Sequence, residues 1–318
     1  MRSKKLATLL LIPVVSCSQN MNVIEDRVFC FDTYVDIRLY EGNKDNVKDI
    51  ADILNKYDAL SDNYLARSGV NNVYTLNQTN EEVTVDESLY KLLKASYSPT
   101  DFTASNFNIL CGSLAKKWKE SLSNKEVLSE TVILEELEKI KNSSLLFKEN
   151  NVVQRMGEAE IDLGGSTKGY VLDEVYTYLI EQKITHYLVN AGKSSILLGK
   201  KKTVGETFTV GLSDLPNAYM KLKDCYISTS GSSMQGVTID GVKYSHIVNP
   251  STGSVVSEYD AVIVICDNGL KSDVMSTSLT MNTLEEIKTI EEEQNIKVIV
   301  IKDQKVIYKN DSIEVYYR

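Results

Sequence analysis

The sequence predicts a mixed α/β chain of the α+β class: one region of two interlocked lobes, with mixed sheets flanked by helices. Three observations carry this. Apolar residues recur at helical spacing in several segments, short apolar or alternating runs bounded by turn residues recur in others, and no internal repeat or low-complexity linker divides the chain. With 318 residues the chain can bury a large core, and its 42% hydrophobic and 25% charged content are ordinary for a globular protein.

Helices are expected where Val47, Ile50, Ile53, Leu54 and Tyr57 share one face, and where Asp86 caps a run carrying Leu89, Leu92, Leu93 and Tyr97. Ile133, Leu134, Leu137 and Ile140 mark another, and Val171, Val175, Tyr178 and Leu179 a fourth. Lys271 to Thr280 starts a further helix, and Thr283 with Glu286 forms a capping box for the last. Strands are expected at Val28–Tyr40, with Phe31-Asp32-Thr33 in its middle, and at Thr185–Val189, Phe208–Leu212 and Cys225–Thr229. An Asp240-Gly241 hairpin follows, then Tyr259–Cys266, Ile296–Ile301, Lys305–Tyr308 and Ile313–Tyr317.

Composition excludes several functions. A net charge of −9 argues against nucleic acid as a partner. The two histidines, His186 and His246, cannot build a multi-histidine metal site, and no Cys-x-x-Cys pair exists. A bound metal would therefore be a hard, oxygen-held ion such as Mg²⁺. At the N-terminus, Arg2, Lys4 and Lys5 precede the apolar run Leu6–Val15, which reads as an export signal and not a membrane span. Its end, Val14-Val15-Ser16-Cys17, resembles a bacterial lipobox, with a plain cleaved signal peptide as the alternative. The expected layout is a signal over residues 1–16, a tether over 17–26 beginning with a membrane lipid anchor at Cys17, and one domain over 27–318. Cys30, Cys111, Cys225 and Cys266 lie in or near apolar runs and read as core residues.

The chemistry concentrates in two blocks. The first, Ala159-Glu160-Ile161-Asp162-Leu163-Gly164-Gly165-Ser166-Thr167-Lys168-Gly169-Tyr170, reads as a short strand entering glycines and then a helix. Glycines there let backbone approach a phosphate, and a helix N-terminus favours negative charge. A superficially similar Gly192-Lys193-Ser194 is no P-loop, because Tyr187 stands where that motif needs glycine. The second block runs from Ser228 to Thr277: Thr229-Ser230-Gly231, then His246-Ile247-Val248-Asn249-Pro250-Ser251-Thr252-Gly253, then Asp273-Val274-Met275-Ser276-Thr277. Asp273 and Thr277 lie one helical turn apart and point the same way. His246 has a side chain whose ordinary pKa suits proton transfer near neutrality.

These blocks, in this order and spacing, resemble the ApbE family, the FAD:protein FMN transferases. Their patterns are D-L-[GS]-[GA]-x-x-K-G-Y-x-x-D, T-S-G, H-I-x-[DN]-P-x-T-G and D-[AV]-x-x-T. The likeness is dense from Ile161 to Thr280 and thinner before it. The resemblance implies an ApbE-like fold and FAD as substrate, with Asp162 and Lys168 holding FAD and Ile247 meeting the flavin. It also implies Mg²⁺ on Asp273, Thr277 and the Gly165 and Ser276 carbonyls, with His246 and Asp273 catalytic. Further flavin contacts are implied at Phe31, at Asn63 or Tyr64, and at Pro99, Thr100 and Asp101. Phe31-Asp32-Thr33 departs from the family's M-G-T and Pro99-Thr100-Asp101-Phe102-Thr103 from its F-D-P-T, whereas Trp118 matches a tryptophan expected downstream. The activity implied is transfer of FMN from FAD to a threonine or serine hydroxyl of an acceptor flavoprotein, releasing AMP. The alternatives are an FAD pyrophosphatase yielding FMN and AMP, and a non-catalytic flavin-binding lipoprotein.

Overall fold

The structure, a computed structural model, describes residues 23–201, 207–212, 215–231, 236–255 and 258–318. The expected signal, residues 1–16, and Cys17 lie outside the described residues. In chain order the elements begin with β1 (Ile24–Cys30), β2 (Thr33–Leu39), α1 (Lys44–Ser61), α2 (Val73–Asn77), β3 (Glu82–Thr84) and α3 (Glu87–Tyr97). Next come α4 (Gly112–Ser123), α5 (Glu130–Lys141), β4 (Ser144–Lys148), β5 (Val152–Met156), α6 (Thr167–Glu181), β6 (Tyr187–Ala191) and β7 (Ser195–Leu198). Then follow β8 (Phe208–Leu212), β9 (Leu215–Leu222), β10 (Cys225–Ser230), β11 (Val237–Ile239), β12 (Val242–Tyr244) and β13 (Ala261–Cys266). The chain closes with α7 (Gly269–Leu279), α8 (Leu284–Gln294), β14 (Lys297–Lys302), β15 (Lys305–Lys309) and β16 (Tyr316–Tyr317).

Eight strands form the main sheet in the order β1-β2-β6-β7-β10-β13-β14-β15. Among the described residues every strand pairing is antiparallel, so the sheets are antiparallel and not mixed. Around β13 the sheet is covered on both faces, which explains the unbroken apolar run Ala261–Cys266. Ala261, Ile263 and Ile265 pack with Phe208 and Met220 of the β8–β9 layer. Their neighbours Val262 and Val264 point the other way, onto Met275 and Leu279 of α7 and Ile287 of α8. Several caps read from sequence are present: Asp86 accepts from Ser88 N, and Thr283 with Glu286 makes a full capping box.

Three further expectations are corrected. The single strand expected over Val28–Tyr40 is a hairpin, with Phe31 and Asp32 both left-handed (φ 53° and 55°) in its two-residue turn. That is the geometry the right-handed twist of paired strands selects, and the Phe31 N–H donating to Asp58 Oδ1 (2.6 Å) secures it. Strand β1 also begins at Ile24, inside the expected tether. Finally, the short strand expected before the glycines is an extended segment outside any sheet. Its backbone is satisfied elsewhere: Ile161 exchanges two hydrogen bonds with the Asn77 side chain, Gly112 N donates to Glu160 O, and Asp162 N donates to Ile109 O.

Candidate active site

The site begins with a match of spacing between a strand and a helix. On β10 the side chains of Tyr226, Ser228 and Ser230 share one face, the face turned to α7. Along α7, Ser272-Asp273 and Ser276-Thr277 recur one turn apart. Ser228 Oγ donates to Asp273 Oδ1 at 2.6 Å and pairs with Ser272 Oγ at 2.8 Å. One step along, Ser230 Oγ pairs with Ser276 Oγ (2.9 Å) and Thr277 Oγ1 (3.1 Å). From β7, Ser195 Oγ also donates to Asp273 Oδ1, at 2.7 Å.

Helix α6 completes the enclosure of Asp273. Gly169 N donates to its Oδ2 at 2.6 Å, possible because α6 and α7 cross with two glycines in contact. A Cβ on Gly169 would lie 2.1 Å from Gly269 O, and one on Gly269 would lie 2.2 Å from Gly169 O. One turn beyond, Asp173 accepts from Gly269 N (2.7 Å) and Leu270 N (2.8 Å), capping the start of α7. Burial pushes the Asp173 carboxyl up to about 6, against the pull of those N–H groups. Asp273 is itself 6% exposed. Burial raises its pKa, while the Lys168 charge and the hydrogen bonds from Ser228, Ser195 and Gly169 act in the opposite sense.

The glycine block lies against the same helix. Asp162 Oδ1 accepts from Gly164 N at 2.7 Å, shaping the turn, and a Cβ on Gly165 would meet Phe107 Cε2 at 2.9 Å and Thr277 Oγ1 at 3.4 Å. Gly165 and Thr277 are thus neighbours, and Phe107, which the sequence did not single out, walls the turn. The gathered groups are one carboxylate and several hydroxyls, all hard oxygens, with the Gly165 backbone beside Thr277. No cluster of three His, Cys, Asp or Glu able to hold a metal exists among the described residues. This set fits Mg²⁺, which is commonly held by one or two carboxylates and keeps waters and phosphate oxygens. Asp273 Oδ1 already accepts two hydroxyl protons, which leaves the remaining acceptor capacity on Oδ2.

His246 stands on the segment after β12. His246 is an exposed residue, yet protein atoms crowd around it. That burial, then the Lys168 charge, holds its pKa below the ordinary imidazole value. Lys168 therefore acts electrostatically on both His246 and Asp273. Ile247 is buried, and its N–H donates to Ser245 Oγ at 3.0 Å.

The N-terminal candidates separate. Phe31 is half-buried at the β1–β2 turn. Asn63 is buried and its carbonyl accepts from Lys116 Nζ at 3.1 Å, whereas Tyr64 is exposed. The Tyr64 ring faces two ammonium groups, Lys116 at 5.1 Å and Lys119 at 4.8 Å. Lys116 also pairs with Glu160 (2.7 Å), two residues before Asp162, which links Tyr64 to the glycine block. Pro99 is half-buried, while Thr100 and Asp101 are exposed and bond each other at 3.1 Å. No described hydrogen bond joins those three to Asp273 or His246. His186 is bound into the scaffold instead, with its N–H and Nδ1 on Glu41. Sequence reasoning passed over Ser195, Ser228 and Ser272 as individual contributors. The alternation of β10 could have found Ser228, but nothing local points to Ser195.

The overall fold is found among solved structures. The ApbE protein of Thermotoga maritima superposes with a TM-score of 0.78 at 24% identity, covering 91% of this chain and 97% of that one. The flavin transferase ApbE of Vibrio cholerae gives 0.72 at 21% identity, covering 93% and 96%. The ApbE family model matches residues 31–300, and the chain belongs to the ApbE family. A Klebsiella pneumoniae FAD:protein FMN transferase is 28% identical over 206 residues, 62% of this chain and 63% of the relative. One from Treponema pallidum is 24% identical over 217 residues, 62% and 60% of the two chains. The matched stretch therefore spans about three fifths of these relatives' length.

Proposed function

We propose that this chain is an Mg²⁺-dependent FAD:protein FMN transferase. It moves FMN from FAD to a threonine or serine hydroxyl of an acceptor flavoprotein and releases AMP. The observation that carries this reading is Asp273: a single buried carboxylate, ringed by hydroxyls and within the field of Lys168, which His246 shares.

In this reading the acceptor hydroxyl oxygen attacks the FMN-side phosphorus of the pyrophosphate. The P–O bond to AMP breaks, AMP leaves with the bridging oxygen, and His246 takes the hydroxyl proton. His246 is suited to this because its lowered pKa leaves it neutral near pH 7. Asp273, Thr277 and the Gly165 and Ser276 carbonyls would hold Mg²⁺, whose charge would offset that of the pyrophosphate oxygens. Lys168 and Asp162 hold FAD, Lys168 opposing phosphate charge, while Phe31, Tyr64 and Ile247 supply apolar surface for the flavin. The N-terminal pattern ending at Cys17 supports export and lipid anchoring on the outer face of a bacterial membrane.

The test incubates the purified chain with FAD and Mg²⁺, with and without an acceptor peptide bearing a target threonine. AMP release together with a peptide heavier by one FMN adduct supports the transferase. AMP with free FMN in every acceptor tried points to the pyrophosphatase. FAD that is bound but stays whole under all divalent ions overturns both.

A further inference from the structure

Trp118 is the chain's single tryptophan, and it is buried in α4 at 3% exposure. Its indole Nε1–H donates to the Gly253 carbonyl at 2.8 Å. Its ring stacks on Tyr244, centroids 6.3 Å apart and planes inclined by 27°. Tyr244 precedes His246 by two residues and Gly253 follows it by seven, so one side chain holds both ends of the segment that carries His246.

The segment between is internally tight. Val248 bridges Val255, Asn249 N donates to Ser254 O and Gly253 N to Asn249 O, each at 2.8 Å, and Asn249 Oδ1 accepts from Ser251 N (2.8 Å) and Thr252 N (3.1 Å). Helix α5 presses on the same turn: Gly253 is left-handed (φ 70°), and a Cβ there would lie 2.4 Å from Ile133 Cγ2. Glu136, fully buried on α5, pairs with Lys139 (2.8 Å) and with Lys117 of α4 (3.5 Å), joining the two helices. A stiff turn gripped at both ends moves as one body, so its grip sets where His246 stands.

We propose that Trp118 is a positioning residue for His246, holding the Tyr244–Gly253 segment by its ring at one end and its indole N–H at the other. The proposal rests on the reading above for what His246 does, but the grip itself is measured independently of turnover.

The experiment compares the full-length wild-type chain with Trp118→Phe, which keeps an aromatic ring but has no N–H to donate. Amide hydrogen exchange over residues 245–255 is expected to quicken about tenfold, the size of one buried hydrogen bond, with exchange elsewhere unchanged. In AMP release, kcat is expected to fall about tenfold, with a smaller loss of FAD affinity because Ile247 rides on the same segment. The acid limb of the pH–rate profile should move up toward the ordinary imidazole range as the loosened segment hydrates His246. Unchanged exchange over 245–255 in Trp118→Phe would overturn the proposal, as would kcat and FAD affinity falling in step. Should Trp118→Phe fail to fold, the ¹⁵N-labelled wild type still decides. Its single indole N–H signal should be strongly protected from solvent exchange, and one that exchanges like a free indole sinks the idea. If wild type folds, shows the protected indole and yet releases no AMP from FAD, the functional reading fails while the grip stands.

Discussion

The backbone N–H of Gly169 donates to Asp273 Oδ2 at 2.6 Å, across the crossing of α6 and α7. The same contact that packs the two helices also supplies a hydrogen bond to the buried carboxylate. Glycine at 169 is required for both, since any Cβ would strike the Gly269 carbonyl at 2.1 Å. Gly169→Ala is therefore expected to destabilise the fold by about 1–3 kcal/mol, as overpacking does, and to lose AMP release. Denaturant unfolding with the FAD assay checks both, and a variant of native stability and rate would refute the tight crossing.

Asp273→Asn keeps the volume but removes the charge, and its amide cannot accept from Ser195, Ser228 and Gly169 with both its polar atoms. AMP release is expected to fall by about 10²-fold or more, the scale of a lost electrostatic contact at a reacting centre. Chelating divalent ions from wild type should have the same effect, reversed by added Mg²⁺. Wild-type turnover in Asp273→Asn, or turnover indifferent to chelation, would remove Asp273 from the metal assignment.

As the proposed base, His246 would act only when neutral, and burial together with Lys168 holds its pKa below 6.5. The rate should thus rise with pH through a limb below 6.5 and be flat above it. His246→Gln is expected to cost about 10²–10⁴-fold and to erase the limb. Lys168→Met removes the like charge and should shift the limb upward. A limb that persists in His246→Gln would assign it to another group.

Glu41 links α1's approach to β6 through stability and not catalysis. Burial disfavours its charge, but the N–H of Thr185, the side chain and N–H of His186 and the Thr185 hydroxyl outweigh that and hold it down to about 2. A depressed carboxyl stabilises the fold above its ordinary value of 4.5, and that contribution is lost as pH falls toward about 2. Glu41→Gln should accordingly lower the melting temperature at pH 7 and lessen its fall between pH 4.5 and 2. Parallel melting curves across that range would contradict this hydrogen-bonded role for Glu41.

What the sequence by itself determined is what interactions a few residues apart can encode. Helix caps at Asp86 and Thr283, the amphipathic period of α1 and α3, the Asp240-Gly241 turn, and the order of the glycine, histidine and aspartate motifs were all legible along the chain. The tertiary structure alone decided what surrounds Asp273, because its partners Ser228, Ser195 and Gly169 lie 45, 78 and 104 residues away. It also turned Asn63 inward and Tyr64 outward, and it folded Phe31-Asp32 into a left-handed turn that local preference for non-glycine residues disfavours. A buried charge is set by desolvation and by the donors that other segments bring to it, and neither is a property of its own stretch of chain.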